Sequence, residues 1–245
     1  EYLMKFASKV DGRMTKEKEI KTDMRFYGRR SGKGLSAHKL ELFDTLLPQI
    51  SIDIHSLEKV SPKTLFGFKP KETWLEIGFG GGEFLAQSAV GNPEFGFIGA
   101  EVFKAGIGKF LHLSHELKIN NVRVFAEDVR LLLPRLEEQS IDKAFLLFPD
   151  PWPKERHASR RFINEAPLKM LTPILKKGGE FWVASDDLNY ILWTLMSMPK
   201  FGLFTLATKT TKEMHTPPAF WFTTRYEAKA RAIGDEIYYL KFIKN

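Results

Sequence analysis

The sequence predicts an α/β fold in which a mostly parallel β-sheet is covered by helices on both faces. From residue 73 onward, short apolar runs alternate with longer segments of helical periodicity, and Gly or Pro residues separate them. The apolar runs are typical of strands that are buried on both sides. A length of 245 residues fits one such domain over residues 36–245, preceded by a basic arm over residues 1–35.

The elements can be placed in chain order. Ser36 is expected to cap a first helix that runs to Ile50 with a break near Pro48, followed by a connector over 51–71. Strands are predicted at 73–78, 95–101, 122–128, 141–152 and 179–187, and helices at about 83–89, 103–117, 129–136 and 160–176. Two further strand-like runs, 201–208 and 236–243, flank a long loop and are expected to form an antiparallel edge. In such a sheet, ligands bind at the carboxyl ends of the strands.

The composition excludes several classes of protein. No apolar run approaches the roughly 20 residues that cross a bilayer, and the charged opening segment is unlike a signal peptide. The absence of cysteine excludes disulfides and thiolate metal sites, and it favours a cytoplasmic protein. His112 and His115 share a predicted helix, but no acid or further histidine accompanies them at metal-ligand spacing, so we expect no metal site.

The positive charge of the chain is concentrated near its beginning. The formal net charge is +7, and a short glycine-containing stretch holds Arg25, Arg29, Arg30, Lys33 and Lys39. Such a segment is able to follow a phosphate backbone, which would make a nucleic acid the partner. A solvated basic tail is the alternative, and this stretch alone leaves both open.

A glycine-rich turn follows the first predicted strand, with the sequence Glu-Ile-Gly-Phe-Gly-Gly-Gly over 76–82. Glycine permits left-handed backbone conformations and lets a ligand approach the backbone closely. A dinucleotide fingerprint would need glycine where Glu83 stands, and a Walker loop would need a Gly-Lys-Ser/Thr ending. Because an acid at a helix N-terminus also disfavours a pyrophosphate, the turn favours a cationic ligand.

Acids stand at the ends of three successive predicted strands: Glu76, Glu101 and Asp128. S-adenosylmethionine carries a sulfonium and an ammonium group that Glu76 suits electrostatically. Glu101 follows Gly78 by roughly the 20 residues at which an acid meets ribose hydroxyls in nucleotide-binding folds. Asp128 is then in reach of the adenine amino group, although an acid that merely caps a helix is the alternative at this position.

A proline-framed loop follows the fourth predicted strand. Pro149, Pro151 and Pro153 stiffen the backbone around Asp150 and Trp152. An acid and an indole on a rigid frame are able to grip a planar base by hydrogen bonding and stacking. Basic residues follow over 154–161 and are expected to reach flanking phosphates.

Together these motifs resemble the tRNA (guanine-N(7)-)-methyltransferases, the TrmB family. The resemblance rests on the loop at 76–82, the Pro-Asp-Pro-Trp segment at 149–161 and the Thr-Arg-Tyr-Glu run at 224–227. It implies a class I, Rossmann-like methyltransferase fold with a seven-stranded, mostly parallel sheet. It also implies methyl transfer from S-adenosylmethionine to nitrogen 7 of a guanosine in tRNA, at position 46 of the variable loop, without a metal.

The resemblance also assigns site residues. Cofactor binding is expected at Glu76, Gly78, Gly80, Glu101, Asp128 and Asp150, with Asp150 also in the catalytic place. Substrate contacts are expected at Lys154, Asp186, Thr224, Arg225, Tyr226 and Glu227. Bacterial members act without a partner subunit, so we expect a monomer or homodimer.

The reaction itself limits what Asp150 has to do. Nitrogen 7 of guanine has a free lone pair, so no proton must leave before it is methylated. We therefore expect Asp150 to position the base or the cofactor and to stabilise the charge that develops on the base. Asp186 and Glu227 are expected to accept hydrogen bonds from the guanine edge, and the base is expected to leave its stack.

Three other functions compete with this interpretation, of which the first stays open and the other two are disfavoured. An enzyme that methylates an exocyclic amine with a related loop uses the same cofactor, and identifying the methylated nucleoside separates the two. An RNA-binding module without activity would have lost cofactor binding, which the intact acids argue against. A nicotinamide enzyme is disfavoured by Glu83.

Overall fold

The computed structural model describes residues 34–55 and 59–245. The predicted basic arm over 1–35 therefore lies almost wholly outside the described residues, together with Arg25, Arg29, Arg30 and Lys33. Lys39 belongs to the first described helix.

Among the described residues, seven strands form one sheet in the order β3-β2-β1-β4-β5-β7-β6. The strands are β1 Thr73–Ile77, β2 Gly96–Ala100, β3 Val122–Phe125, β4 Ile141–Leu147, β5 Leu175–Ser185, β6 Phe204–Leu206 and β7 Tyr238–Lys244. Strands β1 to β5 pair in parallel, and β7 runs antiparallel between β5 and β6. The predicted α/β fold and its antiparallel edge are confirmed.

The helices of the described part of the chain lie before and between these strands. They are α1 Ala37–Thr45, α2 Leu47–Ile50, α3 Pro62–Leu65, α4 Glu83–Gly91, α5 Lys104–Glu116, α6 Val129–Leu132, α7 Glu165–Ile174, α8 Leu188–Ser197, α9 Thr211–Met214 and α10 Arg225–Ala232. Three short 3-10 turns cover Leu133–Arg135, Glu155–Arg160 and Met198–Phe201. In the part of the chain that is described, no helix is long and apolar enough to cross a membrane.

Alternate side chains of each central strand enter two separate cores. On β4, Phe145 and Leu147 pack with α4 and α5 on one face, while Ala144 and Leu146 pack with α7 and α8 on the other. Fully burying one such large side chain contributes about 1.5–3 kcal/mol. The two cores fix the sheet between helical layers, so the loops at the carboxyl ends of the strands are mounted on a rigid base.

Several boundaries differ from the sequence prediction, and the strand predicted over 122–128, for example, ends at Phe125. The strand predicted over 141–152 ends at Leu147, because Phe148 has a left-handed φ of 48° that a strand does not tolerate. The helix predicted over 160–176 is instead a 3-10 turn followed by α7, which begins only at Glu165. Strand β5 begins at Leu175 rather than at residue 179.

The sequence prediction also missed the short helices α3 and α9 and the longer helices α8 and α10. Asp187, assigned to a strand, is the N-cap of α8 and accepts a hydrogen bond from the Tyr190 amide. Thr224 caps α10, accepting from the Glu227 amide at 3.1 Å. The Thr-x-x-Glu spacing is a recognised sign of a helix start, so the signal for α10 was present in the sequence.

Candidate active site

A cavity of about 850 Å³ opens at the carboxyl ends of β1, β2 and β4, where the sequence places its motifs. Eight of the predicted site residues line it, namely Glu76, Gly78, Gly80, Glu101, Asp128, Asp150, Thr224 and Tyr226. Four others, Lys154, Asp186, Arg225 and Glu227, are not part of its lining. The volume is that of a typical small-molecule site.

The glycine turn between β1 and α4 forms one side of the cavity. Gly78 and Gly80 have left-handed φ values of 72° and 57°, which other residues adopt only at a cost. A Cβ on Gly106 of α5 would lie 2.2 Å from the carbonyl oxygen of Gly80, so α5 packs directly against the turn. At Gly78 a Cβ would meet nothing within 4 Å, which leaves the backbone accessible to a ligand.

Glu76 is a buried acid at the end of the cavity, with only 3% of its surface exposed. Its Oε2 atom has no hydrogen-bond partner among the described residues. Burial raises the pKa of Glu76 well above its usual value, and repulsion from Glu83 and Glu101 raises it further. A buried carboxyl oxygen without a donor is costly, so this one is suited to a ligand that brings positive charge.

Glu101 connects the end of β2 to the glycine turn. Its Oε2 accepts from the Gly80 amide at 2.7 Å, and its Oε1 accepts from the amides of Val102 and Phe103. Burial raises the pKa of Glu101, while these three hydrogen bonds oppose the rise and the charge of Asp150 adds to it. Glu101 and Asp150 therefore act on each other across the cavity.

Asp128 caps the short helix α6. Its Oδ1 accepts from the Arg130 amide at 3.0 Å, and the Arg130 guanidinium pairs with its carboxylate. The capping role that the sequence left open is therefore present. The side chain also lines the cavity, so the two roles coexist at this position.

The proline loop forms a second wall and carries Asp150 at an exposed position. Its ends are strained, because Phe148 and Trp152 both have left-handed φ values, 48° and 45°. Each such residue costs on the order of 1–3 kcal/mol. Trp152 is half-buried, with the Arg160 guanidinium 4.9 Å from its ring centroid and the edge of the His157 ring against it. The indole is thus held at the cavity rather than in the core.

The cations that follow this loop divide into two groups. Lys154 and Arg156 are exposed. Arg161 is only 8% exposed, and its guanidinium donates to the carbonyl oxygens of Pro151 and Trp152, both at 3.0 Å. Arg161 borders the cavity, but its guanidinium is engaged with the loop backbone, which distinguishes it from the exposed cations of 154–161.

The Thr224–Glu227 segment at the start of α10 forms the opposite wall. The Tyr226 ring lies 3.3 Å from the position of a Cβ on Gly80, so it covers the glycine turn. Arg225 lies over the Tyr226 ring at 5.3 Å and is exposed. These contacts bring the end of the chain back to the first strand, which the sequence motifs alone did not indicate.

Glu227 faces the interior and is 1% exposed. Its Oε2 accepts from Trp221 Nε1 at 2.6 Å, and its Oε1 accepts from the Tyr239 hydroxyl at 2.7 Å and from Arg231 Nε at 3.0 Å. The expected contact of Glu227 with a guanine edge stays a prediction, because the structure engages both of its oxygens within the protein. Asp186 is exposed at the end of β5.

Sequence reasoning overlooked Lys109 on α5. The pKa of Lys109 is lowered, first by burial and then by Arg225 and Lys39, while Glu83 opposes the shift. The Lys39 side chain of α1 lies 3.6 Å from the position of a Cβ on Gly108, so it packs against α5. Three cations from three helices therefore share one region beside Tyr226, where a negatively charged ligand would relieve their repulsion.

Within residues 34–55 and 59–245, no group of three or more His, Cys, Asp or Glu side chains is arranged to hold a metal ion. His112 and His115 contact the ring of His38 on α1 instead.

Comparison with known sequences places the chain within a family. A family profile described as "Putative methyltransferase" matches residues 70–240. A tRNA (guanine-N(7)-)-methyltransferase of Rhodospirillum rubrum is 45% identical over 90% of this chain and 88% of its own length. Proteins of the same name from Paramagnetospirillum magneticum and Agrobacterium fabrum are 47% and 41% identical, over 84% and 94% of this chain and 87% and 100% of their own lengths.

Solved structures agree with the fold. The 16S rRNA methyltransferase KamB is 14% identical, with a TM-score of 0.52 over 72% of this chain and 89% of its own. A protein described as an antibiotic-related methyltransferase is 16% identical, with a TM-score of 0.50 over 82% of this chain and 98% of its own. At these identities the likeness concerns the Rossmann-like fold alone.

Proposed function

The chain belongs to the family of tRNA (guanine-N(7)-)-methyltransferases, and we propose that it methylates guanosine 46 of the tRNA variable loop with S-adenosylmethionine as donor. The observation that carries the proposal is the convergence of Glu76, Glu101 and Asp150 on one cavity. A methyl donor that bears positive charge fits this lining, whereas a phosphate-bearing cofactor would be repelled by it.

The residues present fit S-adenosylmethionine. The unpaired Oε2 of Glu76 gives a cationic group a buried carboxylate partner, and the open backbone at Gly78 leaves room beside it. Glu101 retains lone pairs beyond its backbone hydrogen bonds and would accept from ribose hydroxyls. Asp128 would meet the adenine end of the same ligand.

When bound, S-adenosylmethionine supplies an electrophilic methyl group. The chain's own task is to hold the guanine in line with that group and to stabilise the positive charge that the base gains. Asp150 lines the cavity on a loop that three prolines stiffen, so its carboxylate is suited to this electrostatic role. No general base is needed, since nitrogen 7 carries a free lone pair.

The guanine is proposed to enter between the two walls of the cavity. Trp152 on the proline loop and Tyr226 on α10 offer aromatic faces for stacking. Thr224 lines the cavity beside Tyr226, and Asp186 at the exposed end of β5 is proposed to meet the donor edge of the base.

Cations on both sides of the cavity support a tRNA substrate. Lys154 and Arg156 lie beyond one wall, and Lys39, Lys109 and Arg225 lie beyond the other. We propose that these groups hold the phosphates on either side of the target nucleotide. The protein would act on tRNA in the cytoplasm, as a monomer or homodimer without a partner subunit.

The experiment that tests the proposal is incubation with bulk tRNA and labelled S-adenosylmethionine, followed by nucleoside analysis. We expect 7-methylguanosine, mapped to position 46, and no other methylated nucleoside. A methylated exocyclic amine would show that the protein catalyses a different methylation. Absence of both cofactor binding and product would support an RNA-binding role without activity.

The cofactor assignment has a separate test at Glu76. Glu76→Gln keeps the shape of the side chain but removes its charge, so we expect S-adenosylmethionine to bind about tenfold more weakly. Because the pKa of Glu76 is raised in the free protein, a cation should bind with proton release, and affinity should increase with pH in the native protein but not in the variant. Identical pH profiles for the two proteins would remove Glu76 from the cofactor site.

A further inference from the structure

The proline loop lacks regular secondary structure, and its backbone shape depends on contacts made by side chains. It carries two strained residues, Phe148 and Trp152, whose left-handed conformations persist only where neighbouring groups enforce them. Asp150 lies between these two residues and is exposed. A group that fixes the carbonyls next to Asp150 would therefore decide where its carboxylate points.

Arg161 is that group. Its Nε donates to the Pro151 carbonyl and its Nη2 donates to the Trp152 carbonyl, each at 3.0 Å. The fork geometry of a guanidinium lets it hold two adjacent carbonyls at once, which a lysine ammonium does less well.

Arg161 is itself fixed from behind. Its guanidinium lies 4.7 Å from the centroid of the Trp193 ring on α8, and Asp187 at the start of α8 acts on its charge. The buried amide of Asn164 donates to the Arg161 carbonyl at 2.6 Å and to the Ala158 carbonyl at 3.0 Å. A chain of contacts thus runs from α8 through Arg161 to the residues that flank Asp150.

From this geometry we infer that Arg161 is a positioning residue, which acts on the reaction through Pro151 and Trp152 and makes no contact with tRNA. The inference rests on the proposed function, because it assigns Asp150 to the reaction. It separates Arg161 from Lys154 and Arg156, which belong to the same basic segment but are exposed.

The test is a double-variant cycle with Arg161→Lys and Asp150→Ala, measured as kcat and KM for tRNA. Arg161→Lys keeps the charge and loses the fork, so kcat should fall 10-fold to 100-fold, as small misplacements of reacting groups do. In the Asp150→Ala background the same change should lower kcat by threefold at most. If Arg161→Lys lowers kcat by equal factors in both backgrounds, Arg161 does not act through Asp150 and the inference is overturned.

Two further readouts separate positioning from tRNA binding and from instability. The slope of log Kd for tRNA against log salt should be the same for Arg161→Lys as for the unaltered protein, whereas a lost phosphate contact would reduce it by about one. Titration with S-adenosylmethionine counts folded sites, and kcat is expressed per site. Arg161→Gln, which keeps one donor pair, is the second variant should the lysine variant not fold.

Lys177→Ala is the matched control, because Lys177 is an exposed cation near the start of β5, at the opposite end of the strand from the cavity. Its kcat and salt slope should equal those of the unaltered protein. An unaltered protein that methylates no tRNA would count against the proposed function, whereas an active protein with an equally active Arg161→Lys would count against the inference alone.

Discussion

The two walls of the cavity hold their motif residues in different ways. The proline loop belongs to no helix or strand, and it contains two residues with strained backbone conformations. Two of its carbonyls are held by hydrogen bonds from the buried guanidinium of Arg161. The Thr224–Glu227 wall is the first turn of a helix, so its carbonyls accept hydrogen bonds within the helix. The Thr224 hydroxyl caps its amides, and the buried Glu227 carboxylate ties it to Trp221 and Tyr239.

The difference separates two kinds of residue within each motif. In each wall one buried residue, Arg161 or Glu227, contacts other parts of the wall, while neighbours such as Arg156 and Arg225 are exposed. We propose that these exposed neighbours meet the tRNA. Residues of the same type within one motif therefore have different roles. Substitutions should accordingly separate a loss of kcat from a loss of stability and from a loss of tRNA affinity.

The largest effect on activity is expected at Asp150 in the proline loop. Asp150→Ala should lower kcat about 10²-fold to 10³-fold, the range seen when one preorganised electrostatic group is removed from an active site. S-adenosylmethionine affinity should fall much less, which equilibrium titration would measure. Asp44→Ala, an exposed acid on α1, is the control. Full activity of Asp150→Ala would end the assignment of Asp150 to the reaction.

The next effect concerns the buried acid of the other wall. Glu227→Ala leaves Trp221 Nε1 and the Tyr239 hydroxyl without an acceptor, so the free energy of unfolding should fall by about 2–4 kcal/mol. Urea denaturation measures it. Glu213 occupies the same place in a similar turn at the start of α9 but is exposed, and Glu213→Ala should cost far less. If both variants lose the same free energy of unfolding, the burial of Glu227 adds nothing to stability beyond its place in the first turn.

A smaller effect is expected from the helix caps. Thr224→Ala removes the N-cap of α10 and should lower the free energy of unfolding by about 1 kcal/mol. Thr210 caps α9 with the same geometry and is the matched control. Both alanine variants should lose similar stability, but only Thr224→Ala should raise the KM for tRNA, because Thr224 lines the cavity. A KM change in both would point to stability rather than to the site.

The smallest effects belong to the exposed cations of the two walls. Arg156→Ala and Arg225→Ala should each weaken tRNA binding about twofold to fivefold, since single exposed charges contribute little. Each should also reduce the slope of log Kd against log salt by about one, measured by filter binding over a salt series. A reduced slope for one variant alone would place the phosphates on a single side of the cavity.

Much of the fold followed from local pattern. The strand–helix alternation from Thr73 onward predicted the parallel sheet, because buried apolar runs and glycine turns report burial and backbone conformation directly. The helix α10 was missed although Thr224 and Glu227 form a recognisable start signal, since its apolar stripe is short and the surrounding segment reads as a loop.

The cofactor side of the cavity could be predicted better than the substrate side. Glu76, Glu101 and Asp128 lie at or just beyond the carboxyl ends of three neighbouring parallel strands, and strand order alone brings such ends together. Lys109 and Arg161 were not distinguished from other basic residues, because charge is visible in a sequence whereas the direction in which a side chain points is not.

The sequence by itself determined the fold class, the cavity edge of the sheet and the negative charge that lines it, because these depend on periodicity, glycine positions and residue type. The tertiary structure alone decided that Glu227 and Arg161 face inward and that Tyr226 covers Gly80. The physical reason is that three-dimensional packing sets the direction in which a side chain points. Residue type and periodicity do not report that direction, even where the partner is near in the chain, as Trp221 is to Glu227.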